Sequence, residues 1–312
     1  MSGEILIGYD GSEDARAATV QAGGLFPGRR AVVANVWHSP AVVMLHTASI
    51  DTVPATMTDV AAELDQADVE HSQEVAEEGC GVARDAGLDP APRSVEGEAS
   101  AWYTLLKLAD EIDAAAVVVG SRGLSGVKSM LLGSVSAGVL HHAARPVLVA
   151  PPPDRQSSDS TGRLLIAYDG SDHARRAIRS AGELLPGREA RVVNVWLSAA
   201  AVAPSALLGA PAGVVASGLD KLDAELAAAA ETTAGEGAAL ATEAGLTGAA
   251  AAVRAEGNVW ATLAHLTDRE HPAAVVLGSH GRSGAAEALL GSVSRGVAHH
   301  SSVPVLVVPP AP

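Results

Sequence analysis

The stretch that decides the fold runs from Val117 to Ser136 and has the sequence VVVGSRGLSGVKSMLLGSVS. It begins with a run of valines, which is typical of a strand buried on both faces. A loop follows with glycines at Gly120, Gly123 and Gly133. The pattern predicts a strand, a glycine-rich loop and a helix in succession. Open α/β sheets bind ligands at this kind of strand end.

The same pattern occurs a second time, as VVLGSHGRSGAAEALLGSVS from Val275 to Ser294. Shorter matches precede it in the same order: IGYDGS at 7–12 recurs as IAYDGS at 166–171, and NVW at 35–37 recurs at 194–196. Repeats that keep their order indicate duplication of a whole domain.

The 312 residues are enough for two domains of ordinary size. A segment rich in proline and then serine lies between the two copies and is typical of a linker. We therefore predict domains at 1–152 and 161–312, joined by a linker at 153–160.

Each half is predicted to alternate strands and helices. In the first half we predict strands at 5–9, 31–37, 94–96, 114–119 and 146–149, and helices at 12–25, 59–86, 100–111 and 135–142. Strands joined by helical crossovers form a parallel sheet covered on both faces. The fold class is therefore α/β, with two repeated domains of five parallel strands.

The repeated loop has the chemistry of a phosphate site. Its glycines let the backbone approach a ligand closely, and Ser134 and Ser292 fall at the predicted helix N-terminus, where free N–H groups attract anions. The hydroxyls of Ser136 and Ser294 are expected to add donors. The alternative, that the glycines only end strands and turn loops, is disfavoured by the matching spacing of two copies.

Asp10 and Asp169 each follow the first strand of their half. A carboxylate there can accept hydrogen bonds from a ribose or lie near a cation that accompanies phosphates. Asp-Gly-Ser is equally good turn chemistry. Both interpretations stay open from the residues alone.

Composition restricts the partners. The net charge is -15 and the basic residues form no cluster, which argues against nucleic acid. Cys80 is the only cysteine, which suits a reducing compartment. The sequence shows neither a signal-peptide pattern near its start nor an apolar stretch of membrane-spanning length, so we expect a cytoplasmic protein without a membrane partner.

Enzymatic signatures are missing from the sequence. It has no Gly-Lys dipeptide and no Gly-x-Ser-x-Gly elbow, and the loop cation Arg122 is matched by His280. We predict no catalytic residue and at most slow hydrolysis of a bound phosphate compound. The histidine pairs at 141–142 and 299–300 are predicted to complement helix dipoles rather than bind a metal, so no metal site is predicted.

These motifs resemble the universal stress protein family in its tandem two-domain form. Both halves match its pattern of Gly, two residues, Gly, nine residues and Gly-Ser, and Asp-Gly-Ser, Asn-Val-Trp and Pro-Val-Leu-Val are similar to further family features. Gly8 and Ala167 depart from it, because many members have proline there. The long segments 39–58 and 198–218 are dissimilar to each other, which puts a shared lid or partner surface in doubt.

The resemblance implies a Rossmann-like fold of the adenine nucleotide alpha hydrolase type with strand order 3-2-1-4-5. It implies ATP, with Mg²⁺ as an accompanying ion, bound in each domain by a regulatory protein of the stress response; the alternative is a slow ATPase acting as a nucleotide-dependent switch. It also implies a homodimer, or domain pairing within the chain, through the fifth strands. The binding residues that it implies are Asp10, Val36, Gly120, Gly123, Gly133, Ser134, Val135 and Ser136, and Asp169, Val195, Gly278, Gly281, Gly291, Ser292, Val293 and Ser294.

Overall fold

The structure is a computed structural model that divides into two compact units, Met1–Asp154 and Arg155–Pro312. The division falls inside the predicted linker. The residues that the structure describes are 3–39, 55–98, 100–123, 132–156, 162–202, 212–281 and 290–310.

The first unit alternates strands and helices as predicted. Its elements are β1 (Ile5–Gly8), α1 (Glu13–Leu25), β2 (Arg30–Trp37), α2 (Ala55–Asp85), β3 (Asp89–Glu96), α3 (Ala101–Glu111), β4 (Ala116–Gly120), α4 (Ser134–His142) and β5 (Val147–Ala150), and a short 3-10 turn at Pro153–Arg155 follows.

The second unit repeats this order, and a short helix is also described after its second strand. Its elements are β6 (Leu164–Ala167), α5 (Asp172–Leu184), β7 (Glu189–Trp196), α6 (Ala199–Val202), α7 (Ala212–Glu243), β8 (Thr247–Arg254), α8 (Val259–Glu270), β9 (Ala274–Gly278), α9 (Ser292–His300) and β10 (Val305–Val308). Within the described ranges, no helix is both long enough and apolar enough to cross a membrane.

Each unit contains five parallel strands in the predicted order. In the first unit β1 pairs with β2 and β4, β2 pairs with β3, and β4 pairs with β5. In the second, β6 pairs with β7 and β9, β7 with β8, and β9 with β10. The α/β fold and the order 3-2-1-4-5 are confirmed.

The helices of the first unit pack in two pairs. Helix α1 contacts α2, and α3 contacts α4. Right-handed crossovers place the helices before β2 and β3 on one face of the sheet and the helices before β4 and β5 on the other. The central strands between them are fully buried, which explains their continuous valine and isoleucine runs.

The first helix of each unit begins at a serine, as the sequence predicts. The Ser12 hydroxyl accepts a hydrogen bond from the Ala15 N–H at 3.2 Å, and Ser171 caps Ala174 at the same distance. These caps satisfy one of the free N–H groups of each helix and fix where the chain turns away from the preceding strand.

Strand β3 is longer than predicted. It spans Asp89–Glu96 and includes Pro90 and Pro92, which favour a loop in a sequence-based prediction. Proline is tolerated at a sheet edge, because its missing N–H would point away from the neighbouring strand. β3 has β2 as its only partner in the sheet of its unit, so both prolines fit there.

Candidate functional site

Each unit has a cleft at the carboxyl ends of its central strands. In the first unit, β1 and β4 end side by side where the chain reverses its direction across the sheet. Open α/β sheets bind ligands at such a switch point. The first cleft has a volume of about 190 Å³, and the second, at the ends of β6 and β9, about 100 Å³.

The clefts bring together most of the residues that the sequence singled out. All eight predicted residues of the first half line the first cleft: Asp10, Val36, Gly120, Gly123, Gly133, Ser134, Val135 and Ser136. In the second half, six line the cleft: Asp169, Val195, Gly278, Gly281, Val293 and Ser294. The other two, Gly291 and Ser292, stand at the start of α9 and are not part of the described lining.

Asp10 closes the predicted turn and also lines the cleft. One carboxylate oxygen accepts the Ser12 N–H at 3.0 Å, which closes an Asx turn. The other oxygen faces the glycine-rich loop, since a Cβ added at Gly123 would lie 2.7 Å from it. Asp169 repeats both features in the second unit. The carboxylate therefore shapes the turn and also lines the cleft.

The two ends of each glycine-rich loop are tied together. The Gly133 N–H donates to the Ser121 carbonyl at 2.7 Å, and the Gly291 N–H donates to the Ser279 carbonyl at 2.8 Å. The strand end and the helix start therefore keep a fixed separation in both units. Lys128 falls in the intervening loop, outside the described residues.

The prediction that the Ser136 and Ser294 hydroxyls add donors is wrong. The Ser136 hydroxyl donates to the Gly120 carbonyl at 2.6 Å, and the Ser294 hydroxyl donates to the Gly278 carbonyl at 2.7 Å. A hydroxyl has one proton, so both are already committed to the loop backbone. These serines hold the loop against the helix, and they can reach a ligand through their N–H groups.

The N-terminus of α4 opens onto the first cleft. Its N-cap is Gly133, which has no side-chain cap, and the first helical backbone bond is the one from Ala137 to Gly133. The N–H groups of Ser134, Val135 and Ser136 precede that bond, and these three residues line the cleft. Helix α9 begins in the same way at Gly291. An uncapped helix start is a site for an anion.

The first cleft also has an apolar lining. Leu105 and Val119 lie against Gly8 at the end of β1, and Val36 lies near the end of β2. The Asn35 side-chain amide donates to the Tyr9 carbonyl at 2.8 Å and so holds the end of β2 against the end of β1. Asn194 makes the same bond in the second unit. The repeated Asn-Val-Trp motif was the signal for this contact, although only the valines were predicted to bind.

Tyr9 is a structural residue beside the cleft. Its hydroxyl donates to Glu78 at 3.0 Å, and burial followed by this bond raises its pKa to about 12. Glu78 also pairs with Arg16. The phenol therefore stays neutral and anchors α2 over the sheet. Gly79 of that helix packs on the Tyr9 ring, which explains a glycine inside a helix.

The first cleft carries a fixed ion pair at its loop end, and sequence reasoning missed it. Asp14, which is 9% exposed, accepts the Ser121 hydroxyl at 3.2 Å, the Arg122 N–H at 3.1 Å and the Arg122 Nε–H at 3.2 Å. A second nitrogen of Arg122 reaches Asp154 at 3.3 Å. One guanidinium therefore links α1, the loop and the 3-10 turn that follows β5.

The second cleft has two histidines at the corresponding place. The rings of His173 and His280 are 5.5 Å apart between centroids, and the His280 Nδ1 lies 3.1 Å from the Ser279 hydroxyl. His280 lines the cleft. The mismatch between Arg122 and His280 was visible in the sequence, whereas their partners on the two helices come from the fold.

The paired histidines at the ends of α4 and α9 lie on tryptophans. His142 stacks on Trp102 at 4.5 Å between ring centroids, and His300 stacks on Trp260 at 4.7 Å. Burial lowers the pKa of the neighbouring His299, with smaller contributions from His300 and Arg295. Among the described residues, no group of three or more potential metal ligands is found.

Comparison with protein families identifies the class of protein that this fold and site define. The model of the universal stress protein family matches residues 1–151 and again residues 161–309. The chain belongs to this family, in the tandem form.

Individual relatives agree with this assignment. A universal stress protein of Mycolicibacterium smegmatis is 31% identical over 196 residues, which cover 62% of this chain and 61% of that protein. Universal stress protein YxiE of Bacillus subtilis is 37% identical over 81 residues, which cover 24% of this chain and 55% of that protein. The matched part therefore spans less than two thirds of each relative.

Solved structures support the fold. A universal stress protein from Archaeoglobus fulgidus has a TM-score of 0.60 at 21% identity, with 99% of each chain covered. A universal stress protein from Pseudomonas aeruginosa has a TM-score of 0.51 at 16% identity and covers 99% of this chain and 93% of its own. These likenesses concern the architecture alone.

Proposed function

We propose that each domain of this universal stress protein binds one ATP and that the bound nucleotide regulates its interactions. The observation that carries the proposal is an uncapped helix N-terminus and a strand-end carboxylate that open onto one cleft, repeated in both domains. A nucleotide has matching parts, with phosphates at one end and a ribose and base at the other.

The phosphates would lie at the loop end of the cleft. There the backbone N–H groups of Ser134, Val135 and Ser136 meet the positive end of the α4 dipole. The net charge of -15 repels an anion at long range, so affinity must come from these local donors. Gly123 adds a place where the backbone can approach an oxygen closely.

The adenosine would lie against the apolar lining. Asp10 can accept hydrogen bonds from ribose hydroxyls through the oxygen that faces the loop. Val36 lies near the end of β2, and Leu105 and Val119 offer apolar surface to a base. Asn35 fixes the spacing between the two strand ends.

The residues present fit a Mg²⁺ ion that accompanies the phosphates. Mg²⁺ in nucleotide sites keeps several waters and takes one or two carboxylates in addition to phosphate oxygens. Asp10 is the carboxylate in the described lining of the first cleft, and Asp169 is its counterpart in the second. The ion would screen the charge between neighbouring phosphates.

Binding rather than turnover is the main activity that we propose. Among the described lining residues, the ionisable side chains that both clefts share are one carboxylate and one tyrosine. The loop-end charge is a guanidinium in one and an imidazole in the other. A common hydrolytic machinery would need the same orienting and charge-stabilising groups in both sites.

Isothermal titration calorimetry of the nucleotide-stripped chain with ATP and with AMP tests the proposal. The contacts at the loop end are specific to phosphates, so ATP is expected to bind well above AMP. Equal affinities for the two nucleotides would contradict the assignment of the loop end, and no heat with either would contradict nucleotide binding.

We also propose that the fifth strands form the protein interface and that the chain acts in the cytoplasm. β5 and β10 are buried apolar strands, VLVA and VLVV, each the last strand of the sheet in its own unit. Uncovered apolar edges invite pairing with another strand. Crosslinking of single-cysteine variants on β5 and β10 tests this, and two solvent-exposed strands without crosslinks would contradict it.

A further inference from the structure

We infer that His173 and His280 are specificity-determining residues of the second cleft, which make its affinity for ATP rise relative to that of the first cleft as the pH falls. This inference rests on the proposed function, because it concerns the ligand of the same cleft. It goes further by giving the two sites of one chain different responses to acid.

The residues at the loop ends of the two clefts occupy equivalent positions. A Cβ added at Gly120 would lie 2.8 Å from the backbone of Asp14, and one added at Gly278 would lie 2.8 Å from the backbone of His173. The helix residue therefore packs against the same point of the loop in both units. Arg122 and His280 then follow at the same distance along each loop.

The charge at the first loop end is permanent. Arg122 stays protonated at every physiological pH. It is held by Asp14 and reaches Asp154, whose side chain is 73% exposed. A phosphate at the N-terminus of α4 meets the same guanidinium at pH 6 and at pH 8, so the first cleft has no switch in this range.

The charge at the second loop end depends on pH. Histidine is the side chain that changes charge between about pH 5 and 8. His173 and His280 are each part-exposed, so protons and ligands can reach them. The 5.5 Å between their rings places two imidazoles where the first cleft has one salt bridge.

Charged groups on the surrounding elements do not imitate this change. Among the described residues, they include Asp169 after β6, Asp172, Arg175 and Arg176 on α5, and Arg295 on α9. Asp172 pairs with Arg175 at 3.3 Å, and Asp169 accepts the Ser171 N–H. Carboxylates and guanidinium groups keep their charge over most of the range from about pH 5 to 8. Of the residue types in the described lining, histidine is therefore the one whose charge can change in that range.

Linkage fixes the direction of the effect. A triphosphate beside the pair stabilises the imidazolium form, so protons and ATP bind the second cleft cooperatively. Protonation must then strengthen ATP binding by the same factor. A ligand that raises the pKa of a group by one unit binds the protonated form about tenfold more tightly than the neutral form.

The experiment measures the two sites separately in the full chain. Ser134→Asp adds a negative charge at the start of α4, so that only the second site should still bind ATP. Ser292→Asp adds one at the start of α9, so that only the first site should still bind it. Calorimetry with ATP at about pH 8 and about pH 6 then gives two affinities for each site, and the first site corrects for titration of ATP itself. We expect the second-to-first affinity ratio to rise about tenfold toward pH 6.

Substitutions distinguish an effect of the two histidines on ATP binding from an effect on folding. His280→Gln keeps a polar partner for Ser279 and should bind ATP at pH 8 with most of the pH effect lost. His173→Asp combined with His280→Arg restores the pair of the first cleft and should give a constant ratio. His265→Gln is the control, since His265 is 62% exposed on α8 and outside the described lining of the cleft.

Two results would overturn the inference. If ATP binds the second site with a ratio that stays within about twofold from pH 8 to pH 6, the histidines do not act on the phosphates and the proposed ATP site is unaffected. If ATP binds neither site at any pH, the proposed function fails and the inference fails with it.

Discussion

The two clefts share a backbone frame but differ in the side chains at the loop end. Both have an uncapped helix start, a loop closed by one N–H bond and a carboxylate facing a glycine. The first cleft holds a salt bridge between Asp14 and Arg122, whereas the second holds His173 and His280. The two copies share the residues that hold the backbone of the cleft, and they differ in the side chains that would contact a ligand.

This difference separates residues that hold the site from residues that tune it. The glycines next to helix backbones and the buried serines that bond loop carbonyls are the same in both copies. A salt bridge can be replaced by two imidazoles because both arrangements leave the loop bonds intact. Substitutions in either set of residues test this distinction.

The largest effect is expected for Gly120→Ala, and it concerns stability. The added methyl would lie 2.8 Å from the Asp14 backbone, so α1 or the loop must shift at a cost of about 2–3 kcal/mol. Thermal melts of stripped protein measure this. Gly278→Ala should reduce the stability of the second domain by a similar amount, because the His173 backbone lies equally close to the added methyl.

A glycine with free space is the control for this prediction. Gly81→Ala lies inside α2 with nothing within 4 Å of the added methyl, and alanine there should stabilise the helix by about 0.5–1 kcal/mol. Gly120→Ala melting like the wild type would show that the loop is not packed on α1. A clash at this position makes it a poor test of ligand binding.

An effect of comparable size is expected for Ser134→Asp, and it concerns binding. A carboxylate at the start of α4 repels phosphate by roughly 3 kcal/mol, or about a hundredfold in affinity. The same charge favours the helix dipole by about 0.3–1 kcal/mol, so the stripped protein should melt no lower. Calorimetry and melting measured together distinguish lost binding from lost folding.

Ser134→Ala is the matched control, since it keeps the N–H group and removes only the hydroxyl. Its affinity should fall by less than about threefold. Ser292→Asp should act on the second site alone. Equal loss at both sites from either single variant would contradict two independent clefts.

A smaller effect is expected when the histidine pair is moved to the first cleft. Asp14→His combined with Arg122→His replaces the permanent charge by one that titrates. Affinity of the first site should then rise about tenfold from pH 8 to pH 6 relative to the unchanged protein. Calorimetry on a chain that also carries Ser292→Asp measures it, and no gain in pH dependence would contradict a role for the pair.

The smallest effect concerns His299 and acid stability. Burial lowers its pKa in the folded chain, so the unfolded chain binds the proton more readily. Its contribution is therefore present above the unfolded pKa, near 6.5, and is lost as the pH falls below it. His299→Gln should reduce the stability lost between pH 7 and pH 5 by under about 1 kcal/mol in urea titrations. A larger acid loss in the variant would contradict this sign.

Much of the fold follows from the sequence because duplication shows each signal twice. The valine runs and the serine caps predict strands and helix starts, and the resemblance carried by the loop spacing implies the strand order. Strand β3 was predicted too short because Pro90 and Pro92 favour a loop, and only its place at an edge makes them acceptable. Local propensity cannot show where a strand stands in a sheet.

The residues of the candidate site also differ in whether the sequence could predict them. Asp10 and the loop glycines lie next to repeated motifs, so the sequence could place them in the cleft. Asp14 and His173 lie inside amphipathic helices without any motif, and their importance comes from the loop that packs against them. The Ser136 hydroxyl was predicted to contact a ligand, but it donates to a loop carbonyl instead. The spacing of residues in a sequence does not show which hydrogen-bond partner a hydroxyl takes in the fold.

Native mass spectrometry of the full chain with ATP and Mg²⁺ tests the central claim most directly. Because each cleft is proposed to bind one nucleotide, the unmutated chain should carry two. Ser134→Asp and Ser292→Asp should each carry one, and the double variant none. A double variant that still carries two ATP would contradict the claim that the two helix starts bind the phosphates.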